Sequence, residues 1–364
     1  MTEADILKAL SNVQEPDLGK DLVTLNMVKD IVIDGSKVSF TVVLTTPACP
    51  LKDMIGNACE NAIRLLVSKE AKVKVNFSSN TSTNRKDTQQ MLSGVKNIIA
   101  VVSGKGGVGK STVSANLALA LAEGGAKVGL MDADIYGPSV PIMFGVRGER
   151  PMMHEVGGKG MIIPLEKYGI KLMSIGLLVD EKNAVVWRGP MASSAIRQFV
   201  TEVDWGELDY LVIDMPPGTG DIHLTLMQTV PVTGAVIVTT PQNVALADAK
   251  KGIAMFAQAQ INVPIIGLVE NMAYFTPEEL PNNKYYIFGK EGGKKLAEEY
   301  ELPFLGQIPL VQGIREGGDS GVPAMIGGDG VSQTAFRDFT SLAVRNIAIR
   351  NANLPQTQKI EILN

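Results

Sequence analysis

The chain has 364 residues, a formal net charge of −4, 45% hydrophobic and 20% charged residues, and two cysteines. This composition fits a soluble globular protein of two domains. It argues against a basic nucleic-acid surface, a membrane span of about 18 apolar residues and a disulfide framework, so neither nucleic acid nor membrane is an expected partner. The start, Met1-Thr-Glu-Ala-Asp, does not read as a signal peptide, and a cytoplasmic location is expected.

Asp5–Leu10 reads as a short helix. Leu22–Ile33 and Lys37–Leu44 alternate like paired strands, with Asp34-Gly35 as the hairpin signal. A helix is expected from Leu51 to Val67, followed by a strand over Lys72–Phe77. Residues 1–78 therefore read as a small α+β domain. Residues 79–94 are polar and aperiodic, the composition of a linker.

Residues 95–350 alternate strands and helices, and 351–364 read as a tail. Asn97–Val102, Ala126–Met131, Ile170–Ile175, Tyr210–Ile213, Ala235–Thr239, Ile265–Val269 and Phe304–Ile308 are short, apolar and rich in β-branched residues. The expected fold class is α/β, a mostly parallel sheet flanked by helices. Ligands on such sheets sit at the carboxyl ends of the strands. The last helix, from Thr334 to about Arg350, places Phe336, Phe339, Leu342, Ala343 and Ile347 on one docking face.

The stretch with the sharpest chemistry follows the Asn97–Val102 strand. Gly104-x-x-x-x-Gly109-Lys110-Ser111 has the spacing of a P-loop and runs into a helical pattern, Ser111–Ala122. Glycines let successive backbone N–H groups point at phosphate oxygens, and the helix N-terminus adds a favourable dipole. Lys110 is expected on the terminal phosphates, and the Ser111 hydroxyl on Mg²⁺. Asp132-Ala-Asp134 follows a strand, so both carboxylates can approach Mg²⁺ or an attacking water; a plain turn is the alternative. Four largely apolar residues end in Asp214, a strand that delivers a carboxylate to the Mg²⁺ shell. Pro216-Pro217-Gly218-Thr219-Gly220 then reads as a switch loop. Asp221 is either a switch acid or, as favoured, the cap of the next helix.

The string Gly104-Lys-Gly-Gly-Val-Gly-Lys-Ser-Thr112 resembles the deviant Walker ATPases of the MinD/ParA and nitrogenase-iron-protein superfamily. That resemblance implies ATP bound by Gly104, Lys105, Gly106, Gly107, Val108, Gly109, Lys110, Ser111 and Thr112. It also implies a homodimer in which Lys105 acts on the partner's nucleotide. Asp132-Ala-Asp-Ile-Tyr-Gly-Pro-Ser139, Met215-Pro-Pro-Gly-Thr-Gly-Asp221 and Glu270-Asn-Met272 are similar to the Mrp/ApbC family of iron–sulfur cluster carrier ATPases. Thr45-Thr-Pro-Ala-Cys-Pro50 is similar to the MIP-type iron–sulfur assembly domain. These resemblances imply Mg²⁺-dependent ATP hydrolysis, with Lys105, Lys110, Asp134 and Asp214 as the catalytic set. Asp134 orients the water, and Ser111, Asp132 and Asp214 serve the metal. Asn271 contacts the adenine, and Pro309 packs near it. Iron–sulfur apoproteins or assembly factors are the implied partners, and Arg188 is implied near the dimer face. A MinD/ParA-like positioning switch and a scaffold without its own cluster are the alternatives.

One departure stands out. In that family the Glu-Asn-Met segment usually runs into a Cys-x-x-Cys pair that holds a cluster across the dimer. Here Glu270–Gly289 contains neither cysteine nor histidine. Clusters are held by thiolates and occasionally imidazole. Only Cys49 and Cys59 remain. Cys59 falls in a helical stripe with Ile55, Ala62 and Leu66 and reads as core. Cys49 precedes the same helix, whose N-terminus would lower its pKa, and it reads as either a metal-binding thiolate or a structural residue. His154 and His223 are assigned to no metal.

Overall fold

The computed structural model describes the chain except residues 84, 86–91, 180–188, 259–260, 278, 281, 356 and 358–364, and except the side chains of residues 189, 190 and 221. Trp187 and Arg188, residues 84 and 86–91 of the polar stretch and most of the tail lie outside the described residues.

Two compact units emerge, residues 1–82 with Ala348–Leu354, and Thr83–Ile347 with Pro355–Asn364. The smaller unit contains α1 (Glu3–Leu10), β1 (Val28–Asp34), β2 (Lys37–Leu44), α2 (Lys52–Leu66) and β3 (Lys72–Ser79). β1 pairs antiparallel and β3 parallel with β2, so the sheet order is β1-β2-β3. Alternation along β2 sends Val38, Phe40, Val42 and Leu44 into the core, where Ile6 and Leu10 of α1 and Ile55, Cys59 and Ile63 of α2 meet them. Two expectations fail here. The strand begins at Val28, because residues 22–26 turn to carry Leu22 into the core. The buried stripe of α2 is Ile55–Cys59–Ile63, while Leu66 stays 60% exposed.

The larger unit is built on an eight-stranded sheet. Its chain order is β4 (Val95–Val102), α3 (Lys110–Glu123), β5 (Val128–Asp132), β6 (Leu165–Lys167), β7 (Ile170–Ser174), α4 (Gly189–Thr201), β8 (Leu208–Asp214), α5 (Asp221–Thr229), β9 (Gly234–Thr239), α6 (Asn243–Ala257), β10 (Ile265–Glu270), α7 (Gly292–Glu299), β11 (Phe304–Gln307), α8 (Gln312–Ser320) and α9 (Gly330–Asn353). The spatial order is β6-β7-β5-β8-β4-β9-β10-β11, parallel throughout except for β6. Continuous apolar runs suit strands covered on both faces, and Ile98–Val101 of the central β4 are fully buried. α3 follows β4 and is buried nearly all round, from Val113 through Leu121. Seven expected strands fall within a few residues of their predicted bounds. β6 and an exposed hairpin, Met153–Val156 with Lys159–Ile162, carry no clear apolar alternation and escaped the sequence reading. The last helix runs on to Asn353, so the expected boundary at 350 falls within it.

Candidate functional site

Every nucleotide-related motif lies at the carboxyl edge of the large sheet. Register explains why: Ser174, Asp132 and Asp214 end β7, β5 and β8 in one transverse row with Val101, the penultimate residue of β4. Beyond Val102 the chain curls through Ser103–Gly109 into α3. Two glycines there are sterically required. A Cβ on Gly104 would lie 2.1 Å from the Asp248 carbonyl of α6. Gly109 sits at φ +80°, and its Cβ would lie 2.2 Å from Asn271 Nδ2.

Lys110 is the hub. Its Nζ donates to Asp214 Oδ1 at 2.7 Å and stands 3.2 Å from Ser111 Oγ and 3.8 Å from Asp134 Oδ2. Ser114, one turn further along α3, also donates to Asp214 Oδ1 at 2.7 Å. Asp214 is fully buried, and its Oδ2 has no hydrogen-bond partner. Asp132 is equally buried but fully engaged: it accepts from the Asp134 N–H at 3.1 Å, the Val140 N–H at 3.3 Å and Ser174 Oγ at 2.9 Å. Burial and the neighbouring Asp214 carboxylate push its carboxyl up to about 7. Burial also raises Asp134, with Lys110 opposing.

Lys110, Ser111 and Asp134 line a cleft of about 200 Å³ with Lys105, Gly106, Gly107, Thr112 and Pro217, and Asp214 lies buried behind Lys110. The Lys105 carbonyl accepts from Ser103 Oγ at 2.9 Å, and its half-buried ammonium makes no ion pair among the described residues. The switch loop lies along the same edge. The Gly218 N–H donates to the Ser103 carbonyl at 2.9 Å, and the Met215 N–H donates to that of Val101 at 3.1 Å. Asp221 is the first helical residue of α5, and Gly220 holds the cap position that the sequence assigned to Asp221.

Asn271 Nδ2 donates to the Val108 carbonyl at 2.8 Å, tying the segment after β10 to the phosphate loop. The Leu310 N–H donates to the Tyr274 carbonyl at 2.7 Å and the Ala273 N–H to that of Ile308 at 3.0 Å, so Asn271 and Pro309 lie on neighbouring segments. Glu270, read from sequence only as part of a motif, is fully buried; it accepts from the Gly293 N–H at the start of α7 and from Gln307 Nε2.

The cysteines behave differently from the sequence reading. Cys59 is closed in the core, and its thiol is pushed up to about 12 by burial. Cys49 is half-buried, and burial with Glu15 and Asp17 nearby raises its thiol instead of lowering it. The reason is burial: the Leu51 amide at the helix start still lowers the thiol, and desolvation outweighs it. Among the described residues no group of three or more His, Cys, Asp or Glu side chains is arranged to hold a metal ion. No described helix is long and apolar enough to cross a membrane.

Residues 94–344 match the NUBPL iron-transfer P-loop NTPase family. The chain belongs to that family. Residues 3–77 match a second family, described as iron-sulfur cluster assembly protein. An iron-sulfur cluster carrier protein of Synechocystis sp. is 51% identical over 90% of this chain and 92% of its own length. The protein of the same name from Deinococcus radiodurans is 46% identical over 96% of this chain and 97% of its own. A nucleotide-binding protein from Archaeoglobus fulgidus, solved in complex with ADP, superposes with a TM-score of 0.55 at 41% identity, over 63% of this chain and 88% of that one. The larger unit is thus a P-loop NTPase of the iron-transfer family, with its P-loop intact.

Sequence reasoning missed Ser114, Ser174 and Gln307, and it noted His223 only as a lone histidine assigned to no metal. Ser114 was findable, since it lies four residues after Lys110 on the same helical face. Ser174 was visible only once the strand register was known.

Proposed function

We propose that this protein is an ATP-hydrolysing homodimer that binds iron–sulfur clusters and passes them to apoproteins or assembly factors in the cytoplasm. The observation that carries the ATP half is the convergence of Lys110, Ser111 and Asp134 on one cleft at the P-loop, with buried Asp214 held against Lys110. The loop from Gly104 through Thr112 cradles the phosphates, and Lys110 swings from Asp214 to the terminal oxygens. Asn271 holds the adenine, with Pro309 beside it.

Ser111 Oγ and Asp214 suit magnesium, a hard cation that takes oxygen ligands, and the unpartnered Asp214 Oδ2 is an acceptor suited to such an ion or its water. When bound, magnesium neutralises phosphate charge. Asp132, its oxygens already engaged, fixes the switch segment behind that site. Asp134 orients the attacking water, and the Lys105 ammonium reaches the partner's nucleotide. Phosphoryl transfer needs little beyond such positioning and charge neutralisation. In a purified preparation, Lys110→Ala or Asp214→Ala removes Mg²⁺-dependent ATP hydrolysis while the circular dichroism spectrum persists; unchanged turnover in either variant contradicts the assignment.

The cargo half rests on family membership, on the second family match over residues 3–77 and on the names of the relatives. Cys49 is the accessible thiol of the two. Two copies in a dimer supply two thiolates, so glutathione, a partner protein or oxygen ligands complete the site. A second reading, an ATP-driven scaffold without its own cluster, is favoured by one observation: Glu270–Gly289 lacks cysteine and histidine altogether.

A further inference from the structure

The switch loop encloses a buried group that the chemistry above does not use. His223 lies in the first turn of α5, is 1% exposed, and neither ring nitrogen has a hydrogen-bond partner. The carbonyls of Gly220 and Pro216, at the two ends of the loop, approach the ring closely enough to act on it but short of full hydrogen-bond geometry, and that of Gly220 already accepts from the His223 backbone N–H at 3.0 Å. Burial, reinforced by the Lys110 charge, pushes the imidazole down to about 4. The ring is therefore neutral at physiological pH, with one N–H donor and one acceptor. Leaving both unpaired in a dry setting is costly, and such groups call for an explanation.

The loop around the ring has few free amides. Pro216 and Pro217 have no N–H, and those of Met215 and Gly218 are tied to Val101 and Ser103 of the strand that leads into the phosphate loop. Any event that draws the Gly218 amide toward a γ-phosphate must re-aim the adjoining carbonyls. Loops of this kind order on the γ-phosphate and relax after hydrolysis.

We propose that His223 is a positioning residue for the switch loop: when ATP draws Gly218 off Ser103, a Pro216 or Gly220 carbonyl closes on the imidazole N–H. The ring then stabilises the ATP-bound loop over the empty or ADP-bound one, and so sets the discrimination between the two nucleotides. It touches neither nucleotide nor metal. The inference rests on the ATP reading above.

The test compares wild type, His223→Leu and His223→Gln, each in the full chain with Mg²⁺. Affinities for ADP and for a non-hydrolysable ATP analogue are measured, with kcat and KM for ATP. ADP affinity stays within twofold in all three, because the P-loop makes that site. In His223→Leu the preference for the ATP analogue falls about tenfold, the equivalent of one hydrogen bond formed in one state only, and kcat falls with it. His223→Gln, which keeps a donor and an acceptor, restores both. An unchanged preference in His223→Leu, or equal losses in the Leu and Gln variants, overturns the inference. Should His223→Leu fail to fold, nitrogen-15 imidazole spectra of wild type decide: one ring nitrogen becomes hydrogen-bonded with the ATP analogue and not with ADP. Spectra that are the same with either nucleotide overturn it. A wild type that binds no ATP contradicts the functional reading itself, a failure seen before any variant is made.

Discussion

Asp132 and Asp214 stand side by side at the ends of paired strands, both fully buried, and Lys110 Nζ lies 2.7 Å from the second of them. Burial and the Asp214 charge favour the protonated form of Asp132, so the Lys110 ammonium serves Asp214 first, with Asp134 Oδ2 3.8 Å away. Under the proposed function, Lys110 turns to phosphate oxygens and a cation takes its place at Asp214.

Removing Lys110 leaves Asp214 uncompensated in a dry site. Lys110→Ala should destabilise the nucleotide-free protein by about 3 kcal/mol, the usual cost of breaking a buried ion pair. Asp214→Asn in that background should recover part of the loss. Urea unfolding of both variants without nucleotide checks this; additive losses would mean that the two groups are not coupled.

Stability of the nucleotide-free protein should vary with pH in two opposing ways. The folded pKa of Asp132 is raised to about 7, so its folded state holds the extra proton, and its contribution is lost as pH rises from about 4 through 7. The folded pKa of His223 is lowered to about 4, so its contribution is present above about 6.5 and lost as pH falls toward 4. Thermal midpoints across this range separate the two: Asp132→Asn flattens the loss on the neutral side, and His223→Gln the loss on the acid side.

Gly109→Ala should abolish nucleotide binding and lower stability by about 1–3 kcal/mol. The added Cβ meets Asn271 Nδ2 at 2.2 Å, and the residue must hold φ +80°. Isothermal titration with ADP reads the binding loss; a variant that binds ADP normally would show that the loop can shift without penalty.

The proposed action of Lys105 across a dimer has a distinctive signature. Lys105→Ala and Asp134→Ala homodimers should both be inactive, whereas mixing them should restore hydrolysis. In the mixed dimer, one site keeps its own Asp134 and receives the partner copy's Lys105. Mixtures no more active than either parent would place Lys105 in its own site or outside the chemistry.

Much of the large unit was legible in the sequence because its strands are buried on both faces. Continuous apolar runs such as Ile98–Val102 need no partner to be recognised, and the Gly104–Ser111 spacing has few other physical uses. Lys110 and Asp214 were readable because one opens a helix and the other closes a strand, and Asp134 because it lies two residues past the end of β5, beside Asp132. What escaped depends on register or on exact helix starts. Ser174 meets Asp132 only because β7 and β5 pair in that register. Cys49 looked like a helix-terminal thiol, and burial outweighs the lowering by the Leu51 amide at the helix start. His223 looked like an ordinary lone histidine, and no one-dimensional pattern reveals that a loop closes over it.

Anaerobic reconstitution of the full chain and of Cys49→Ser with iron and sulfide, followed by desalting, metal counting and a visible spectrum, tests the cargo claim most directly. The account predicts that wild type retains a cluster and that Cys49→Ser loses it, while both hydrolyse ATP alike. Wild type emerging free of iron, with ATP turnover intact, would contradict the carrier reading and leave an ATP-driven scaffold.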